Sequence, residues 1–378
     1  MITEEKTFSF TDSYLRAAGA DPGKCVIFDI ETTGFRAASS HLYLIGAAVR
    51  VSPDVRPAAG DAAGTSLWKL TQWLSEKPQE EAELLRAFRD SLPEDAVFVH
   101  FNGDRFDIPY MNEKYDRYGI SSPFEGRDSV DLFRSFRNLK GLLGMEHMKL
   151  TDIEHFLRLR REDRYDGGKL IGVYRSFCGN GDPSLRELLL LHNREDVEGT
   201  LKITPMQSYL SLLDKAAKGD PGSADISVSE NGVDLELSFE LPLPVPAPVR
   251  ATLPQAEDSS ALILSEKSGL LRVPVYEGTL LYFFADYKDY WYLPFEDEAI
   301  HKSVAQFVDR DRRVPATRET CYIRRSGRFI PQTDRGLSRA MRRSYKDKEN
   351  WIPLDEAFLN DPESLRRYVC AAVVSAFK

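Results

Sequence analysis

The sequence predicts an α/β domain, a mixed sheet flanked by helices, followed by a second, β-rich α+β domain. Three observations support this. Strand-like runs come three in succession near the N-terminus and then alternate with helical patterns, as in a mixed sheet with helices against it. Around residues 215–227, Ala-Lys-Gly-Asp-Pro-Gly-Ser-Ala interrupts the pattern. Beyond it, hairpin signals replace helical ones. At 378 residues, two domains are the natural expectation. Residues 1–214 are assigned to the first domain, 215–227 to a linker and 228–378 to the second.

Lys24 to Glu31 is a short apolar run with β-branched residues, as a buried strand requires. Leu42 to Val49 reads as a second strand and Ser66 to Leu74 as a third, with a loop rich in Pro, Ala and Gly at 52–64 between them. A helix is expected over Glu80–Leu92, a strand over Ala96–Phe101, a helix from Asp107 to Tyr118, and a short strand at Val130–Leu132. Thr151-Asp-Ile-Glu154 has the spacing of a capping box opening another helix. The longest helix is expected from Ser184 to about Leu210. In the second domain, hairpins are expected at Asn231-Gly232, at Ser265–Gly269, and at Asp286–Asp289 between Leu280–Phe284 and Tyr290–Leu293. Helices are expected near Asp297–Val308 and at the C-terminus.

With 42% hydrophobic and 29% charged residues, the chain has an ordinary globular composition. No apolar run approaches the roughly 18 residues of a membrane span. Met1 to Lys6 carries acids and lacks the apolar core of a signal peptide. Cys25, Cys178, Cys321 and Cys370 lie far apart, which argues against a zinc site or a disulfide framework and suits the cytoplasm. The net charge of −9 argues against a protein that coats DNA. From Asp309 to Lys348, however, 13 Lys/Arg face 5 Asp/Glu, a local balance of +8.

Asp29-Ile30-Glu31 places two acids at i and i+2 of a strand, so both side chains leave one face. Holding two like charges together is costly, and a divalent cation is the usual compensation. A polar turn, Thr32-Thr33-Gly34, follows. A second acidic position falls in Phe101-Asn-Gly-Asp-Arg-Phe-Asp107-Ile-Pro109, where Asp104 and Asp107 compete; Asp107 sits in the apolar stretch and Asp104 in a polar turn. At 100° per residue, one stripe of the long helix collects Leu188, Leu189, His192, Asp196, Gly199, Thr200 and Ile203, so His192 and Asp196 interrupt a mostly apolar face one turn apart. Arg194, Glu195 and Glu198 point elsewhere and read as a solvated face.

These motifs resemble the ribonuclease H-like exonucleases with an Asp-Glu-Asp-Asp signature, particularly the YprB type, over about Cys25 to Ile203. The resemblance implies a ribonuclease H-like sheet and selects Asp107 as the third acid, with Leu191-His192-Asn-Arg-Glu-Asp196-Val197 as the last motif. Members carry a Tyr four residues before the final Asp or a His five before it; here His192 stands four before Asp196. Asp131 lies where the family often has an acid and reads as a supporting or strand-end group. The run Arg161 to Gly168, followed by Tyr174, resembles the loop before the last motif, and its charges read as solvated.

The expected chemistry is phosphodiester hydrolysis of DNA or RNA with two cations about 3.5–4 Å apart. An all-carboxylate shell of Asp29, Glu31, Asp107 and Asp196 selects hard ions, Mg²⁺ or Mn²⁺, with Asp29 shared between them. His192 would orient or deprotonate the attacking water. The resemblance implies 3′→5′ exonuclease polarity. A structure-selective endonuclease and a catalytically silent nucleic-acid-binding module are the alternatives. In the second domain, Arg339, Arg342 and Arg343 lie on a helix-compatible run and are the candidate contacts to nucleic acid, with Tyr322, Phe329 and Tyr345 near them in sequence.

Overall fold

The computed structural model describes residues 1–51, 65–163, 165, 167–222, 225–231, 233–253, 260–334, 336, 337 and 339–378. The expected loop at 52–64 and Gly232 of the first expected hairpin lie outside them. The chain divides into two compact units, one of residues 1–140 and 145–210, the other of 141–144 and 211–378.

Unit 1 is built on six strands: β1 (Ile2–Thr11), β2 (Cys25–Thr32), β3 (Leu42–Arg50), β4 (Thr65–Leu74), β5 (Val97–His100) and β6 (Ser129–Asp131). They lie in the order β1-β4-β3-β2-β5-β6. The four from β1 to β2 are antiparallel neighbours, whereas β2, β5 and β6 run parallel. The helices in chain order are α1 (Ser13–Ala17), α2 (Glu81–Asp90), α3 (Asp107–Tyr118), α4 (Leu132–Phe136), α5 (Lys140–Leu143), α6 (Leu150–Phe156), α7 (Gly167–Asn180), α8 (Pro183–Lys202) and α9 (Gln207–Ala217).

The alternation of β2 divides its side chains between two cores. Val26, Phe28 and Ile30 face a cluster with Leu84, Leu85 and Phe88 of α2 and Met111 and Tyr115 of α3. On the opposite face, Tyr43, Leu44 and Leu74 pack with Leu170, Tyr174 and Phe177 of α7 and Leu189 and Leu190 of α8. Asp29 and Glu31 have the other parity from Phe28 and Ile30, so they leave the sheet on the α8 side. The first core is cross-tied by a buried ion pair, Lys114 Nζ to Glu81 Oε1 at 2.8 Å. The same two side chains hold the loop after β2, with Lys114 donating to the Ser40 carbonyl and Glu81 accepting the Leu42 N–H.

Several elements differ from expectation. β1 pairs with β4 from Ile2↔Leu74 to Thr11↔Thr65, an edge strand whose Glu4, Glu5 and Lys6 disguise it as surface and suit an edge. Residues 161–163 and 165 of the expected loop before the last motif are not helical; its last two residues, Gly167 and Gly168, open helix α7, which carries Tyr174. Thr151 is inside α6 rather than at its cap: the Lys149 N–H donates to Asp152 Oδ2 at 2.8 Å, and Glu154 is buried elsewhere. Helix α8 opens on Asp182, whose carboxylate accepts the Ser184 N–H, with Pro183 in its first turn. It stops at Lys202, because Pro205 lacks the N–H that a continuing helix needs; a 3₁₀ turn at Thr204–Met206 leads into α9.

Unit 2 carries a five-stranded antiparallel sheet in the order β7-β8-β11-β10-β9, from β7 (Ser227–Asn231), β8 (Asp234–Glu240), β9 (Val249–Thr252), β10 (Ala261–Ser265) and β11 (Ser268–Pro274). β7 pairs with β8 up to Asn231↔Asp234, and the second expected hairpin closes at Ser265↔Ser268 with a two-residue connection. The third expected hairpin does not form. β12 (Tyr276–Phe283) pairs instead with β16 (Tyr322–Pro331), while β13 (Tyr290–Leu293) pairs with β14 (Glu298–His301) and β15 (Val314–Pro315) in a separate sheet. The Asp286–Asp289 turn thus passes from one sheet to another. The expected helix near 297–308 is the strand β14 and one short turn, α10 (Lys302–Ala305). The Arg339–Lys346 run is not helical: Met341 bridges Trp351 of β17 (Trp351–Pro353), and Arg342 bridges Leu281. After α11 (Glu356–Leu359), the expected C-terminal helix is α12 (Pro362–Ala376).

Candidate active site

The site is assembled from β2, the start of α3 and the middle of α8. Asp29 and Glu31 share the α8 side of β2, while Asp107 is the first residue of α3 and its Oδ1 accepts the Ile30 N–H at 3.3 Å. From α8, His192 and Asp196 come down together. His192 Nε2 stands 3.2 Å from Glu31 Oε1 and 3.4 Å from Asp196 Oδ2. Glu31, His192 and Asp196 form one group able to hold a cation. Glu31 is also reached by the Tyr43 hydroxyl at 3.5 Å, and Tyr43 stacks on Tyr174 with ring centroids 4.1 Å apart.

Asp104 is not in this group. Its carboxylate accepts from Ser129 Oγ at 2.7 Å and lies 3.3 Å from His100 Nε2. Asp131 caps α4, accepting the Asn102 and Arg134 N–H groups at 2.9 and 3.2 Å.

Three contributors are plain only in three dimensions. Asn193 is fully buried and donates from Nδ2 to the Asp29 carbonyl and to Asp29 Oδ2 at 3.2 and 3.1 Å, while its Oδ1 accepts from Gln72 Nε2 at 2.9 Å. This close approach of α8 depends on Gly46 of β3, where an added Cβ would fall 2.1 Å from Asn193 Oδ1. The second contributor is Asp163, read from sequence as part of a solvated run; it is buried, with Oδ2 2.5 Å from His192 Nδ1. Glu195, also read as solvated, holds that loop by accepting the N–H groups of Glu162 and Asp163 at 2.8 and 3.0 Å. The third is Arg161, which pairs with Asp196 through Nη2 and with Glu154 Oε2 through Nε at 2.7 Å. Glu154 reaches this position because Gly199 has no side chain; a Cβ there would lie 2.1 Å from Glu154 Oε1.

Electrostatics follow from this crowding. Burial, then the neighbouring Asp196, Asp107 and Glu31, raise the Asp29 carboxyl well above the usual carboxylate range. Burial pushes Asp107 up to about 7 and also raises Glu31, against the opposing hydrogen bond from His192. Burial disfavours the His192 imidazolium, but Glu31, Asp196 and Asp163 outweigh it and push the ring up to about 9. The site therefore concentrates more anion than His192 and Arg161 balance, and its carboxylates offer oxygen donors. That donor set suits a hard divalent cation.

In unit 2 the three arginines singled out from sequence have structural neighbours. The Arg339 guanidinium lies over Tyr282 at 5.2 Å, Arg343 lies over Tyr276 and Trp351 at 5.1 and 5.2 Å, and Arg342 Nε donates to Asn350 Oδ1 at 3.0 Å.

The mixed sheet with β2 at its centre, helices on both faces and acids gathered on the α8 side defines a ribonuclease H-like domain. Residues 26–206 match a family model of the RNase H superfamily. No curated protein matches the chain. Among the described residues, no helix is long and apolar enough to cross a membrane.

Proposed function

We propose that the ribonuclease H-like domain is a two-metal nuclease that hydrolyses phosphodiester bonds of DNA or RNA, acting as a 3′→5′ exonuclease. The observation that supports this best is the gathering of Asp29, Glu31, Asp107 and Asp196 from three separate segments, with their charge under-compensated by the chain itself. These four carboxylates would hold two Mg²⁺ or Mn²⁺ ions. When bound, such ions supply an activated water and relief of charge on the leaving oxygen.

The chain's own contribution centres on α8. Asn193 fixes the Asp29 carboxylate against the sheet, so that ligand geometry is set before substrate arrives. Asp163 holds the Nδ1 side of the His192 ring, which leaves Nε2 directed at Glu31 and Asp196. Once those two acids are otherwise engaged, His192 loses the partners that retain its second proton. Nε2 can then accept a proton from the attacking water while Asp163 keeps the ring oriented. Arg161 offsets the charge of Asp196 and ties α8 to Glu154 of α6.

Polarity is tested with 3′- and 5′-labelled oligonucleotides of DNA and RNA in Mn²⁺. Stepwise shortening of the 5′-labelled strand is expected. A single internal cut would point to an endonuclease instead.

A further inference from the structure

A cleft of about 300 Å³ opens on unit 1 between the turn after β5 and helix α4, lined by Asp104, Arg105, Asp131, Phe133, Arg134 and Arg137. Its three arginines are exposed. Among the described residues, no hydrogen bond or ion pair engages any of their guanidinium groups. The two acids in the cleft do not neutralise the arginines. Asp131 is buried and spends its Oδ1 on the Asn102 and Arg134 N–H groups. Asp104 is drawn to Ser129 and His100. His100 Nδ1 accepts the Gly103 N–H, so the ring's proton is on Nε2, directed at Ser129 Oγ at 2.7 Å and at Asp104. That network is closed on itself and fixes the turn.

Three features fit a polyanionic strand. The cationic groups line the cleft from both the turn and the α4 side without internal partners. Phe133, half-buried, makes an edge-to-face contact with Phe101 at 5.6 Å and offers an apolar surface to a base or sugar. The same turn, residues 101–106, runs directly into Asp107, so whatever occupies the cleft is a neighbour of the carboxylate site.

We propose that this cleft holds the phosphate backbone of a single nucleic-acid strand, with Arg105, Arg134 and Arg137 contacting phosphates and Phe133 contacting a base or sugar. The cleft guides the strand toward Asp29, Glu31, Asp107 and Asp196. Strand binding here rests on the nuclease reading only in naming what lies at the strand's end.

The test is fluorescence anisotropy with 5′-fluorescein-labelled (dT)₁₂, with Ca²⁺ in place of Mg²⁺, over a range of KCl. The variant is Arg105→Gln/Arg134→Gln/Arg137→Gln, its fold checked by thermal melting. Each single-strand phosphate contact contributes about −0.7 to the slope of log K against log[salt]. Loss of three contacts flattens that slope by about 2 and weakens binding about tenfold or more at 100 mM KCl. Arg105→Lys/Arg134→Lys/Arg137→Lys keeps the slope, because the charge remains. Unchanged affinity and slope in the Gln variant, with binding by the wild type intact, overturn the proposal. Hydrolysis in Mn²⁺ is scored separately. A flattened slope in a protein that never cuts would leave the cleft standing and remove the nuclease reading, whereas cutting with an unchanged slope would do the reverse.

Discussion

Gly46→Ala changes one hydrogen into a methyl group on the strand beside Asp29, touches no charged group itself, and should still damage the candidate site. The added Cβ would lie 2.1 Å from Asn193 Oδ1 and 2.9 Å from its Cγ, about 1 Å inside contact distance for the oxygen. Asn193 has no exposed route of escape, since it is fully buried and clamped by Gln72 on one side and Asp29 on the other. Either α8 lifts off β3, or the Asn193 amide turns away. Lifting the helix is overpacking, which costs about 1–3 kcal/mol. Turning the amide leaves buried donors on Asn193 and Gln72 without acceptors, at about 1–3 kcal/mol for each group left unsatisfied. A loss of about 2–5 kcal/mol follows, read as a lower urea midpoint at unchanged slope. The Asp29 carboxylate loses its anchor in both cases, so Mn²⁺ affinity by calorimetry should fall as well. A variant within about 0.5 kcal/mol of wild type, binding Mn²⁺ equally well, would refute the claim that Asn193 holds Asp29 through the Gly46 notch.

Lys114→Met removes one member of a buried ion pair and strands Glu81, so a loss of about 3–5 kcal/mol is expected in denaturant unfolding; Glu81→Gln/Lys114→Met should recover part of it. His192→Ala should reduce hydrolysis about 10²–10⁴-fold with Mn²⁺ affinity nearly unchanged, and Asp163→Asn should lower the rate less while shifting the pH–rate profile. The metal-free protein should lose stability as pH rises. Asp107, with its folded value at about 7 against 3.8, contributes stability that is full below about pH 4 and lost through about pH 7; His192, at about 9 against 6.5, adds a loss between about pH 7 and 9. Melting in EDTA from about pH 5 to 9 should show this fall, and Mn²⁺ should reverse it because binding needs the carboxylates ionised. A melting temperature that climbs over that range in EDTA would show that the site's carboxylates are not under strain.

The first domain was legible because its signals are local. Apolar runs mark β2, β3 and β4, and the parity of Asp29 and Glu31 within β2 already places both acids on one face. The His192–Asp196 stripe follows from helical spacing alone. What sequence could not supply are relations between distant segments. Asn193 adjoins His192 in the chain, yet its role depends on a notch at Gly46 in another strand. Asp163 and Arg161 sit in a run of alternating charge whose ordinary fate is solvent, and it takes His192, Glu195 and Asp196, all from α8, to draw that run inward. β1 has the acids of a surface segment because it is an edge, and the propensity signal there is weak. In the second domain, Leu280 to Phe284 and Tyr290 to Leu293 look like hairpin partners because they are near in sequence, but β12 finds β16 instead, in the register Leu280↔Arg325. The arginine run from Arg339 has helical spacing, and backbone pairing of Met341 and Arg342 overrides it.

The most direct test of the account is degradation of end-labelled single- and double-stranded DNA and RNA in Mn²⁺ by the wild-type protein and by Asp29→Asn and Glu31→Gln. Metal-dependent hydrolysis by the wild type, abolished by EDTA, is the expected result. The two variants should be folded, bind Mn²⁺ poorly and not cut. A variant that keeps even a tenth of the wild-type rate, or a wild-type protein that binds strands and Mn²⁺ without cutting them, would contradict it.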